Sequence, residues 1–214
     1  MAASGGCALE PRRAIDAARP DAAPRAHDAQ LFLQSVALTM AAALLLVETV
    51  TGGFYSQLLL ASADSEDLRA ATILLIGSSL ALLVATLYFV VYRASRAAQE
   101  DFPRFVARNF AWLKNLSLLS DVLVKFAALA LVIDLRHPEW VGPLLTLFVA
   151  DFLFQGRFFM LPLRAALWGG AGCLVTCGGL VFTGEARLFA PLVVFIAVSG
   201  LSVGHLVRRR RAAA

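Results

Sequence analysis

In a chain of 214 residues, 59% hydrophobic and 16% charged, with a mean hydropathy of +0.74, apolar residues outnumber what a soluble core of this size would hide. That balance argues against a water-soluble domain and predicts an all-α polytopic membrane protein. The formal charge of +4 and pI near 9.3 do not point to nucleic acid, because the basic residues border apolar stretches instead of forming a basic domain.

Residues 1–29 are rich in Ala, Arg, Pro and Asp without apolar periodicity, and read as a disordered cytoplasmic tail. The first expected span covers residues 31–57, with Gly52-Gly53 and then Phe54-Tyr55 marking a break and an interfacial continuation. A signal peptide ending near Ala61-Ser62-Ala63 is the competing reading. The apolar run is about twice the ~7–15 residues of such a core, which favours a span. The second span is expected over 70–92, with Gly77, Ser78 and Ser79 allowing close packing.

Between the second and third spans, Phe102, Phe105, Val106, Phe110 and Leu113 fall on one helical face and Arg104 and Arg108 on the other. This pattern predicts a short amphipathic interfacial helix that lies on the inner leaflet or docks a partner.

The third and fourth spans, 116–134 and 141–159, form a hairpin that contains charge. Asp121 and Lys125 are one helical turn apart, as are Asp151 and Gln155. Counting at ~1.5 Å per residue puts Lys125 and Asp151 both about 14 Å from the turn, near mid-membrane. Asp121, Gln155 and Arg157 come out farther from the turn, at roughly 20–24 Å, toward the inner side. Two rungs are therefore expected, Lys125–Asp151 and Asp121–Arg157, with Glu48 of the first span level with the former. Charges at a helix centre cost about 2.5–3.5 kcal/mol each on insertion scales, so this arm needs a matching neighbour. Intramembrane ionisable groups usually face a cavity or the bundle interior. The cluster Glu48, Asp121, Lys125, Asp151, Gln155 and Arg157 thus reads as a route for a proton, ion or small polar solute, or as a neutral lock on the hairpin.

The fifth span, 165–183, carries Gly169, Gly170, Gly172, Gly178 and Gly179 with Cys173 and Cys177, and is expected at the centre of the bundle. The sixth covers 188–207, and 208–214 form a basic tail. Basic residues number four in the first tail, five in the 93–114 loop, two in the 157–164 turn and four at the end, against Arg69, Arg136 and Arg187 on the other side. Six apolar stretches predict six helices, and this asymmetry puts both termini in the cytoplasm; the expected location is a bacterial cytoplasmic (inner) membrane.

Gly200-Leu201-Ser202-Val203-Gly204 matches G-x-S-x-G, with His205 beside it, but a nucleophile elbow needs a strand-to-helix turn and this match falls within a span. Intramembrane serine proteases of the rhomboid type also have six helices in this orientation, yet the chain lacks their Gly-x-Ser-Gly in the fourth span. Asp121-x-x-x-Lys125 faintly resembles the retinal-binding helix of microbial rhodopsins, which have seven helices with the lysine in the last. His27, His137 and His205 are not at a metal-ligand spacing, and no Walker loop or dinucleotide fingerprint is present. No catalytic residue, metal or cofactor is assigned. The expected function is a small channel or carrier, and the alternative is a scaffold or regulatory subunit of a larger membrane complex. The expected partners are the lipid bilayer and a second copy or another membrane protein.

Overall fold

The computed structural model describes residues 22–110, 117–156, 158–184 and 187–213, and among these every regular element is helical. The helices are α1 (Ala22–Val50), α2 (Phe54–Ala61), α3 (Glu66–Ala97), α4 (Phe102–Asn109), α5 (Ser117–Asp134), α6 (Val141–Phe154), α7 (Leu163–Thr183) and α8 (Phe189–Ala213), with a 3₁₀ turn at Pro138–Trp140. Helix α1 starts at Ala22, inside the stretch expected to be tail. It stops where Gly52 and Gly53 take φ values of 69° and 102°, a conformation that side chains with a Cβ avoid. Ser65 caps α3 by accepting from the Leu68 N–H, and Glu66 and Asp67 lie in its first turn, where the helix dipole favours acids. In the α5–α6 turn, burial pushes the Glu139 carboxyl up. Its own backbone N–H and the His137 ring, 2.8 Å away, outweigh that and hold it below the usual value.

Four of these helices are long and apolar enough to cross a membrane: Ala26–Val50, Glu66–Ala97, Leu163–Thr183 and Phe189–Ala212. Among the described residues only four of the six expected crossings meet this test, and the two that fall short are the arms of the charged hairpin. Helix α6 has 14 residues, about 21 Å of rise against a ~30 Å hydrocarbon core. Helix α5 has 18 residues and includes Asp121, Lys125 and Asp134. Large apolar side chains such as Leu74, Trp168, Val175 and Phe182 are exposed on the outside of the bundle. Water would penalise such a surface and lipid would not, which fits an integral membrane protein.

Helix α1 runs along α8, and α6 along α7; α3 packs on α1 and touches α2, α4 and α5. Three buried clusters hold the bundle. One joins Ala29 and Leu33 to Leu87, Val91, Phe105 and Phe110 at the basic end of the bundle, which carries the Asp28–Arg210 pair at 3.5 Å. A second joins α6, α7 and α8 through Ala150, Leu153, Phe159, Cys173 and Val198. A third, around Leu59, Leu129, Ile133 and Val141, lies by the α5–α6 turn.

The short helix α4 departs from expectation. Phe105, Val106 and Phe110 are buried in the first cluster and Phe102 packs partly against it. The face expected to meet lipid or a partner is covered by α1 and α3, because the amphipathic pattern marks an apolar face without saying what covers it. Leu113 lies outside the described residues. Helix α7 also differs, sitting at the edge and not at the centre. A Cβ on Gly170 would come within 2.6 Å of the Phe154 ring, and one on Gly169 within 3.3 Å of Leu153, whereas Gly172, Gly178 and Gly179 meet nothing within 4 Å. Only one side of the glycine-rich helix is used for close approach. Gly170→Leu is expected to cost about 1–3 kcal/mol by forcing α7 off α6, read as a lower melting temperature in detergent. Gly172→Ala should not lower it.

Candidate functional site

Helical spacing stacks Asp121 beneath Lys125 on α5, and Asp151 beneath Gln155 at the end of α6. Where the helices face each other, the Lys125 ammonium donates to Asp121 Oδ2 and to Asp151 Oδ2, each at 2.6 Å. Gln155 Nε2 donates to both oxygens of Asp151, at 2.8 and 2.7 Å. The Phe152 ring centroid lies 4.2 Å from the ammonium and that of Phe148 5.9 Å, so two aromatic faces attract the cation as well. The lysine side chain is 12% exposed and that of Asp151 40%. The bridge is closed around the base and open at one acid.

Lys125 is also in the wall of an internal chamber. A cavity of about 410 Å³ bounded by Lys125, Phe126, Leu145, Phe148 and Pro191 adjoins one of about 310 Å³ bounded by Leu33, Ala37, Met40, Leu87 and Phe158. The two share Leu44, Leu80, Leu83, Val122, Phe152, Leu192 and Phe195, so they adjoin, and together they make the chamber between α1, α3, α5, α6 and α8. Apart from Lys125 and Thr86, its walls are apolar. Such a space suits an apolar body meeting one polar point, and offers nothing to replace the water around a hydrated ion.

The other expected cluster members lie elsewhere. Glu48 is buried, but its carboxylate accepts from the Tyr55 N–H at 2.9 Å, the Ser56 N–H at 3.1 Å and the Ser56 hydroxyl. It therefore caps the first turn of α2, where free N–H groups favour an acid, and is not joined to Lys125. The Ser56 hydroxyl oxygen also accepts from the Leu188 N–H at 3.0 Å, tying the start of α8 to this cap. Arg157 lies outside the described residues, so the Asp121–Arg157 rung does too; Asp121 instead shares Lys125.

One group of polar residues was missed in the sequence. Gln30 and Gln34 of α1 both donate through Nε2 to the Phe158 carbonyl, at 2.8 and 2.7 Å, and Ser202 of α8 donates to the Phe159 carbonyl. These side chains hold the non-helical stretch after α6, whose carbonyls have no helical partner of their own. The signal was present as two glutamines four apart in an apolar helix. What they bond lies more than 120 residues away, which periodicity does not reveal. The pairing also commits the Ser202 hydroxyl to a backbone carbonyl, leaving the G-x-S-x-G match without a free nucleophile. Gln34→Leu is expected to cost only about 0.5–1.5 kcal/mol, because Gln30 still donates to that carbonyl, checked by denaturant titration in detergent.

Compared with known proteins, the chain matches no protein family, no curated protein sequence and no solved structure.

Proposed function

We propose that the protein is a small carrier of the bacterial cytoplasmic membrane, moving a solute past Lys125 with proton exchange at one carboxylate, Asp151. In this reading the α5–α6 hairpin supplies two further crossings beside the four long helices, and the stretch held by Gln30, Gln34 and Ser202 completes the short α6. Both termini then face the cytoplasm, as the basic residues favour. The reading rests on one observation: an ionisable group, held by acids from two helices, stands in the wall of an internal chamber. Buried charge of this kind is costly and marks transport routes more often than passive packing.

The chemistry is a bridge with two acids and one base. A proton on Asp151 would remove its charge and weaken its hold on Lys125, while Asp121, one turn away on the same helix, keeps the ammonium neutralised. The link between α5 and α6 would loosen without stranding the lysine, which gives the hairpin two arrangements for a carrier cycle. For the scaffold alternative, a partner would have to dock elsewhere than on Phe105, Val106 and Phe110, which are buried against α1 and α3.

The test is proton flux into liposomes containing the purified protein and an internal pH dye, under an imposed pH gradient. The wild-type protein should dissipate the gradient faster than empty liposomes, and Lys125→Met and Asp151→Asn should each slow this at least about tenfold, as loss of a proton-transfer partner does. Equal flux in wild type and both variants would remove the cluster from the transport path.

A further inference from the structure

The chamber beside Lys125 is closed at its two ends and open at its side. At the basic end, Leu33 and Leu87 belong both to its wall and to the buried cluster with Phe105 and Phe110. Toward the α5–α6 turn, Leu129 belongs both to its wall and to the cluster with Leu59 and Ile133. Behind it, Val149 does the same for the α6–α7–α8 cluster. Of the lining side chains, Met40, Leu44 and Leu83 are exposed. All three sit in the middle of α1 or α3, helices long and apolar enough to cross the membrane. The mouth therefore lies between α1 and α3 at membrane depth, where the surroundings are acyl chains and not water.

We propose that this chamber takes a neutral, membrane-dissolved molecule with one long apolar chain and one hydrogen-bonding end group, admitted sideways between α1 and α3. The length fits such a chain: Leu33 to Leu44 along α1 is about 16 Å at 1.5 Å per residue, close to one leaflet's half of a ~30 Å core. An apolar space of this kind does not hold water, so an apolar body is its natural occupant. Lys125 is the charged residue of the chamber wall, and a hydrogen-bond acceptor on the end group is drawn to its ammonium, which Asp121 and Asp151 hold from outside the lining. A charged end is excluded. An added carboxylate would be a third acid beside one base, and a quaternary ammonium would give up its hydration in an apolar space without a hydrogen to donate. Long-chain alcohols and ring carbonyl compounds with an apolar tail share the required chemistry.

This assignment names the cargo of the proposed carrier and takes its functional meaning from that reading, but it is tested by binding alone. The probe is a photoreactive long-chain alcohol with its diazirine in the chain, offered to the whole protein in lipid nanodiscs. The carboxylate, the quaternary ammonium and the plain alkane of equal length are the comparison arms. Labelling should map to chamber residues such as Leu83, Val122 and Phe195, with the alcohol favoured at least about tenfold over both charged probes. Leu83→Trp, which crowds the mouth without touching the bridge, should reduce chamber labelling by a similar factor while labelling of outer residues such as Leu74 and Phe182 stays unchanged. A long-chain ketone carrying the same photoreactive group should match the alcohol, because the end group need only accept from Lys125; a ketone that labels no better than the alkane would overturn the polar end. Equal labelling by alcohol and alkane, or labelling confined to outer residues, would overturn the proposal. Proton flux surviving that outcome would leave the carrier standing, and specific labelling with flux absent would leave the chamber without the carrier.

Discussion

Lys125→Met is expected to lower the unfolding free energy by about 1–3 kcal/mol, and adding Asp151→Asn should recover roughly half of the loss. Breaking a fully buried ion pair by removing one partner costs about 3–5 kcal/mol, because the charge left behind stays unpaired. Here Asp151 is 40% exposed, so part of its charge is screened by solvent and the loss is smaller. Methionine keeps the apolar stem that packs by Phe152 but leaves Asp121 and Asp151 facing each other with nothing between them. Removing the second charge relieves that repulsion, so the double variant should be the more stable of the two. Thermal melts in one detergent at one protein concentration would show the order. A double variant no more stable than Lys125→Met would mean that the bridge does not join α5 to α6 energetically.

Phe105→Ala should cost more, about 3–5 kcal/mol, as truncation of a fully buried aromatic ring does. The ring has no exposed surface and lies 6.0 Å from that of Phe110, in a cluster that also binds α1 to α3. Removing it opens a void at the basic end and frees α4 from the bundle. Arg104→Ala on the exposed side of the same helix is expected to stay within about 0.5 kcal/mol. Had α4 rested on lipid, the phenylalanine change would weaken membrane attachment and leave the melting temperature nearly unaltered. Melting curves of the two variants separate these outcomes.

The bridge itself was legible in the sequence for a simple reason. Two helices joined by a short turn keep a common origin, so counting residues from that turn compares depths, and the four-residue spacing gives the face. Lys125, Asp121, Asp151 and Gln155 all lie within reach of that counting. Glu48 does not, because the Gly52-Gly53 reversal folds α2 back over it and supplies nearer N–H partners. The α4 face was read as apolar, which it is, but periodicity carries no information on which surface meets it. Gln30 and Gln34 were overlooked for the same reason in reverse, since their value depends on a carbonyl from a distant segment. The membrane class and four of the long helices followed from composition and run length alone. The hairpin was harder, because a 14-residue helix and its non-helical extension look continuous when only hydropathy is read.

The arrangement of the bridge has a temporal side. Asp121 precedes Lys125 by four residues, so the lysine leaves the ribosome with that acid already made. Asp151 follows 26 residues later, a delay of about 1–5 s at roughly 5–20 residues per second. In the proposed topology, the nearer acid accompanies the lysine through synthesis and the later one fastens the finished hairpin.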